Sequence, residues 1–323
     1  MAKGREFKDQ HFVPSSYTAA WCDADTPAEM TPYVWVFAAR GRDGRRKSPE
    51  NIFSETDFYT VMEDDGTRNV RIEKSLSALE SEFAKIRKRL AREEEITSVK
   101  DRLDLLTFVA AMSARTRAKR DHHRNQFGKV KEKMEMMINH YDRSTPAERR
   151  ALVNHPGNQI GEGSEPGGSY EDIVAVVENP MRFTLGVTID VMLPILTKMK
   201  LAVIGTDDPL GFITSDDPCV LIDTEAHKVP PFFRHSPGLV KQSVELTLPL
   251  SPRQILVLSW VAGVEGYLKT DQRGVDELNR RTIARAHEQY VACRNETRDV
   301  WFEKRPEPED SWEKTHSRKR SRR

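Results

Sequence analysis

Apolar and polar residues divide this chain into a strand-rich start, a helical middle and a strand-rich later part. "YVWVFA" at 33–38 puts β-branched and aromatic residues between Pro32 and the turn "RGRDGRRK", which predicts a strand and then a solvated loop. A second short strand is expected over 57–62, ahead of an Asp-Gly turn. From Glu73 onward, apolar residues fall at Leu76, Leu79, Phe83, Ile86 and Leu90. The 3,4,3,4 spacing lines one stripe of an amphipathic helix. A helix over 101–120, with Leu103, Leu106, Val109, Ala110 and Ser113 turned inward, is apolar nearly all round at its start and is expected at the centre. Phe127, Val130, Met134, Met137 and Tyr141 continue a helical period. "STPAERRALV" then offers Thr145 as N-cap, Pro146 at the first helical position and Glu148 to complete a capping box. Ser169 and Asp172 repeat that cap before a helix at 170–178. A further helix over 181–200 is expected to kink at Pro194.

Strands are then expected at 201–205, 211–214, 219–222, 244–250 and 254–260, the last two as a hairpin closed by Pro-Leu-Ser-Pro. "GFITSDDPCVLID" reads as strand, acidic turn, strand. A helix over 272–293 carries Val275, Leu278, Thr282, Ala286 and Cys293 on one side. Strands, helices, strands and a helix in that order argue for an α+β fold: a central helical bundle packed on a mostly antiparallel sheet of N-terminal and late strands. One domain is expected over 10–300, with the glycine-rich stretch 154–169 as a flexible loop. Residues 1–9 and the Pro-, Glu- and Arg-rich 301–323 are expected to be disordered.

Charge changes this picture only locally. There are 51 Lys+Arg against 50 Asp+Glu in 323 residues, so the whole molecule has no net pull toward a polyanion. Between 115 and 133, however, eight Lys/Arg stand against two acids. The three cysteines are far apart and contain no CxxC pair, which suggests neither a zinc knuckle nor a disulfide framework, and a reducing compartment. No apolar run approaches the roughly 18 residues of a membrane span, and the N-terminus lacks an apolar leader. A cytoplasmic protein without membrane contact is the expectation, and its oligomeric state stays open. P-loop, GxGxxG, GxSxG and HExxH motifs are absent from the sequence.

Six short patterns occur in order: "QHFVPSSYTAAW", "SPENIFSETDFY", "LTFVAAMSARTRAKRD", "FITSDDPCVL", "LTLPLSPRQILVL" and "VDELNRRTIARAHEQY". Together they resemble the bacterial and fungal family called domain of unknown function 4238, over roughly residues 10–293. The resemblance implies a single α+β domain and brings no established activity. The positions that match its recurring motifs are His11, Pro14, Arg115, Ser215, Asp216, Pro218, Pro249, Pro252 and Asn279.

Candidate chemistry gathers on a few of these residues. Asp216 and Asp217 at a strand end could hold a divalent cation, since hard cations take oxygen ligands. Alternatively, Ser215, Asp216 and Pro218 are ordinary turn formers, and "TDDPL" at 206–210 nearly repeats them. His11 could be a base, a ligand or a packed side chain. Arg115 directly continues a buried helix, so it should be desolvated and paired, with Asp216 or Glu55 as natural partners. Arg117, Lys119, Arg120 and Arg124 could neutralise phosphates or simply solvate a helix end. Asn279 lies on the apolar side of its helix and must find polar partners, in a turn or in a ligand.

The functional expectation is a metal-dependent phosphodiester hydrolase, with nucleic acid as its candidate substrate. His11, Arg115 and Asp216 would be catalytic, Asp216 and Asp217 would hold the metal, and the basic run would dock the substrate. The alternative is a non-catalytic binding or regulatory module that uses the basic helix and tail.

Overall fold

The computed structural model describes residues 8–155 and 168–315, apart from 28, 63–64, 97, 235–236, 306–307 and 313. Most of the expected loop at 154–169 and the end of the expected tail therefore lie outside the described residues. The N-terminal part holds β1 (Asp9–His11), the short helix α1 (Ser15–Thr18), β2 (Val34–Ala38), β3 (Arg45–Lys47), β4 (Ser54–Thr56), β5 (Val61–Met62) and β6 (Arg68–Asn69). Helices follow: α2 (Arg71–Leu90), α3 (Val99–Ala114), α4 (Arg117–Arg143), α5 (Pro146–Asn154), α6 (Tyr170–Glu178) and α7 (Pro180–Leu196). Strands β7 (Lys200–Gly205), β8 (Thr214–Ser215), β9 (Val220–Asp223), β10 (Val244–Ser251), β11 (Gln254–Ser259) and β12 (Gly266–Lys269) come next, then α8 (Gln272–Arg285) and β13 (Gln289–Ala292).

The fold is α+β. Its centre is α3, whose residues from Leu105 to Ala114 are almost all buried between α2 and α7. The apolar stripe of α2 meets it, and the rings of Phe83 and Phe108 stack at 3.6 Å. A five-stranded sheet in the order β12-β7-β11-β10-β9 packs on these helices through Leu246, Leu248, Leu256 and Leu258. It is antiparallel except where β12 runs parallel to β7. A second, antiparallel sheet in the order β3-β2-β13-β8 joins N-terminal and late strands. Its far face carries a smaller core of Phe37, Ile213, Ile283, Tyr290 and Trp301.

Both expected capping boxes form, at Thr145/Glu148 and at Ser169/Asp172. Four expectations change. The helix over 101–120 is two helices, because Arg115 leaves helical geometry and the Thr116 hydroxyl caps α4 by accepting from the Lys119 amide. The strand over 57–62 shrinks to Val61–Met62, after a left-handed backbone at Asp57. The helix over 272–293 ends at Arg285, and Gln289–Ala292 near its expected end is β13. The acidic turn does not close a hairpin: β8 pairs with β13, whereas β9 pairs with β10, so "SDDP" carries the chain from one sheet to the other. Packing also continues past residue 300, where Trp301 and Ser311 are fully buried.

Candidate active site

β1 alternates, and that alternation builds one side of the site. Gln10 points inward, where its amide donates to Thr60 Oγ1 at 2.8 Å and accepts from the Tyr59 amide at 2.5 Å. His11 faces the other way and is half-buried. The turn into its partner strand β4 is tight, since Phe53 takes a left-handed conformation (φ 57°) that a side chain ordinarily disfavours. Its carbonyl is fixed by the amides of Phe12 and Val13, at 2.9 and 3.4 Å.

His11 Nε2 lies 3.2 Å from the Glu50 carbonyl oxygen. A carbonyl can only accept, so Nε2 carries the hydrogen and the lone pair of the neutral ring is on Nδ1. Burial lowers the His11 pKa, the Glu50 carbonyl and the Glu80 charge oppose that, and Arg115 adds to it.

Arg115, at the C-terminal cap of α3, is the floor of this cluster and only 1% exposed. Its Nη1 donates to Glu80 Oε1 at 2.7 Å, and its Nη2 points at the Met112 sulfur at 3.3 Å. Its Nε–H has no acceptor among the described atoms. Glu80 and Glu73 both come from α2, seven residues apart and so two turns along one face. Burial and the Glu80 charge hold the Glu73 carboxyl above its usual range, with Arg115 opposing. The buried Tyr59 hydroxyl closes the cluster, 3.5 Å from the His11 carbonyl and 3.4 Å from that of Arg115. Its phenol is pushed up, chiefly by burial. The cluster thus joins an imidazole whose pKa burial lowers, a carboxyl whose pKa burial raises and a carboxylate–guanidinium pair.

Asp216 is committed elsewhere. Its Oδ1 accepts from the His287 amide at 2.8 Å, and its Oδ2 accepts from the amides of Glu288 (2.6 Å) and Gln289 (3.0 Å). Burial raises its carboxyl, and the three amides pull it down. Asp217 turns a different way, with Oδ2 2.6 Å from Arg285 Nε and Oδ1 without a partner among the described atoms. Burial raises its carboxyl, while Arg285 and Lys119 lower it. The two carboxylates therefore do not converge on one cation. Among the described residues, no group of three or more His, Cys, Asp or Glu is arranged to hold a metal. The Ser215 hydroxyl accepts from the Asp217 amide at 3.2 Å, as a turn former does.

The basic residues are also engaged. Arg117 pairs with Glu55 (3.2 Å) and Glu288 (2.8 Å), and Arg120 with Glu55 and Asp121. Arg124 donates to the carbonyls of Val177 and Glu178 at the end of α6. Lys119 is part-buried beside Asp217 and Arg285, and burial lowers its pKa. Asn279 clamps backbone, donating to the Gly211 carbonyl (2.9 Å) and accepting from the Ile213 amide (3.0 Å).

The structure thus brings His11 and Arg115 together, pairs Arg115 with Glu80 instead of Asp216 or Glu55, and adds Glu73 and Tyr59. Those carboxylates had a sequence signal. Glu73, Leu76, Glu80 and Phe83 follow 3,4,3 spacing, so both acids stand in register with the apolar stripe of α2. An acid on a stripe that packs inward needs a partner or a task.

The family model described as "Protein of unknown function (DUF4238)" matches residues 9–297. The chain belongs to this DUF4238 family. No curated protein and no solved structure matches it. All members of the cluster, from His11 to Arg115, fall inside the DUF4238 match, as do Asp216 and Asn279. Among the described residues, no helix of this DUF4238 protein is long and apolar enough to cross a membrane.

Proposed function

We propose that this DUF4238 protein is a phosphodiester hydrolase working by general acid–base chemistry, with nucleic acid as the polymer that carries such bonds. The observation that supports it is that His11 and Glu73 both lie beside the Arg115–Glu80 pair, with burial lowering the pKa of the first and raising that of the second. Groups whose environments push their pKa values in such directions suit opposite halves of a proton-transfer reaction. His11 Nδ1 would take a proton from the attacking water as its oxygen bonds to phosphorus. Glu73 would give its proton to the leaving oxygen as the P–O bond breaks. The unpartnered Nε–H of Arg115 would suit an anionic oxygen.

A cation at Asp216 and Asp217 is not part of this mechanism, because those carboxylates serve the 287–289 backbone and Arg285. A pure nucleic-acid-binding module is less well supported, since Arg117, Arg120 and Arg124 are already bonded within the chain.

The test is turnover of bis(p-nitrophenyl) phosphate and of a single-stranded oligonucleotide between about pH 5 and pH 9, with and without Mg²⁺ or Mn²⁺. We expect His11→Ala and Glu73→Gln each to lower kcat by about 10²–10⁴-fold and the wild type to show a bell-shaped pH profile. No turnover by the wild type, or full activity in His11→Ala, would overturn the assignment.

A further inference from the structure

Helix α7 presents apolar residues on both sides. Met181, Leu185 and Leu196 are buried inward. Its outer face, formed by Arg182, Phe183, Gly186, Val187, Asp190, Val191 and Pro194, is exposed, with Val187 and Val191 each 62% open to solvent. A surface helix ordinarily turns polar residues outward, and one that is apolar all round is ordinarily buried.

Two further observations say what covers this face. Gly186 stands in the middle of the helix, where glycine costs about 1 kcal/mol relative to alanine. A Cβ added there would meet nothing within 4 Å, so no neighbour within the chain requires the missing side chain. A close approach by a second backbone would require it. Arg182 and Asp190 lie four residues to either side of Gly186, on the same ridge of the helix. Among the described residues neither has an ion-pair partner; the Arg182 guanidinium rests over its neighbour's ring, Phe183, at 5.3 Å.

We infer that α7 is a homodimer interface, in which a second copy of this chain packs antiparallel across a two-fold axis at Gly186. That symmetry sets residue 186+n against residue 186−n. Arg182 then meets Asp190 of the partner subunit, and the reciprocal pair forms on the other side of the axis. Phe183, Val187 and Val191 form the adjacent apolar ridge, and the glycine contact lets the helices close. One helix pair is a small interface, so the dimer is weak and depends on concentration. This rests on surface features alone and is independent of the hydrolase assignment.

Sedimentation velocity on the full chain over a concentration series tests it. The wild type should pass from monomer to dimer. Arg182→Glu and Asp190→Arg should each weaken association by at least about tenfold, since each sets like charges together. The double reversal should restore it, because the ion pairs re-form with opposite polarity. Gly186→Leu should abolish dimerisation while circular dichroism shows the fold retained. A wild type that stays monomeric throughout the series, single reversals without effect, or a double reversal that fails to restore the dimer would each overturn the inference.

Discussion

Burial acts on His11 and Glu73 in the same way, disfavouring the charged form of each, yet the consequences for pH run in opposite directions. Glu73 binds its proton more tightly in the folded protein than at the ordinary value of 4.5. Between 4.5 and that raised value the native state carries more proton than the unfolded one, so stability falls as pH rises through this window. Glu73→Gln should therefore raise stability at pH 7, by less than about 1 kcal/mol once solvent screening is allowed for. That gain should vanish below pH 4.5, where the unfolded carboxyl is protonated too. Urea unfolding at the two pH values measures it, and an equal gain at both would show that charge is not the cause. His11 has the reverse sign: its native pKa lies below 6.5, so its contribution is present above 6.5 and is lost as pH falls toward the lowered value.

Elements in this protein are often set by a single side chain reaching across the chain. Local signals were legible where cap, stripe and element lie within a few residues, as at Thr145/Glu148, Ser169/Asp172 and the stripe of α2. They misled where a distant group competed. The 286–292 segment continues a helical period, but Asp216 takes the amides of 287, 288 and 289, and Tyr290 and Val291 join Phe37 and Val36 across the sheet. Asp216→Ala would leave three amides without that acceptor and should cost about 2–4 kcal/mol in chemical denaturation. A loss below about 0.5 kcal/mol would mean that water replaces the carboxylate. Gly211 shows the same dependence on a remote neighbour. Its φ is +63°, and a Cβ there would lie 2.1 Å from the Pro252 carbonyl oxygen, which accepts from the Phe212 amide at 2.8 Å. The "TDDPL" segment resembles "SDDPC" in use as well as in letters: the Thr206 and Ser215 hydroxyls accept from the Asp208 and Asp217 amides, and those two carboxylates meet Arg298 and Arg285.

At the scale of the molecule, the second sheet lies between the main core and the smaller one around Phe37 and Tyr290, and the C-terminal segment seals the latter. Trp301 is 1% exposed, its indole donates to Asp276 at 2.7 Å, and Arg298 bridges Asp276 and Asp208. Trp301→Ala should cost about 3–5 kcal/mol, read as a lower urea midpoint with one cooperative transition. An unchanged midpoint would show that the segment adds nothing to the domain. The α+β class, the helical centre, the paired β10–β11 hairpin and the candidacy of His11 and Arg115 can be read from the chain alone, because each rests on short-range periodicity, turn chemistry or a polar residue beside an apolar run. That the acidic turn crosses between sheets, that Asp216 holds backbone and that Arg115 meets Glu80 emerge with the folded chain. Those outcomes depend on which buried donor finds which acceptor across many residues. Burial makes an unpaired polar group costly enough to settle that choice, and no local pattern encodes it.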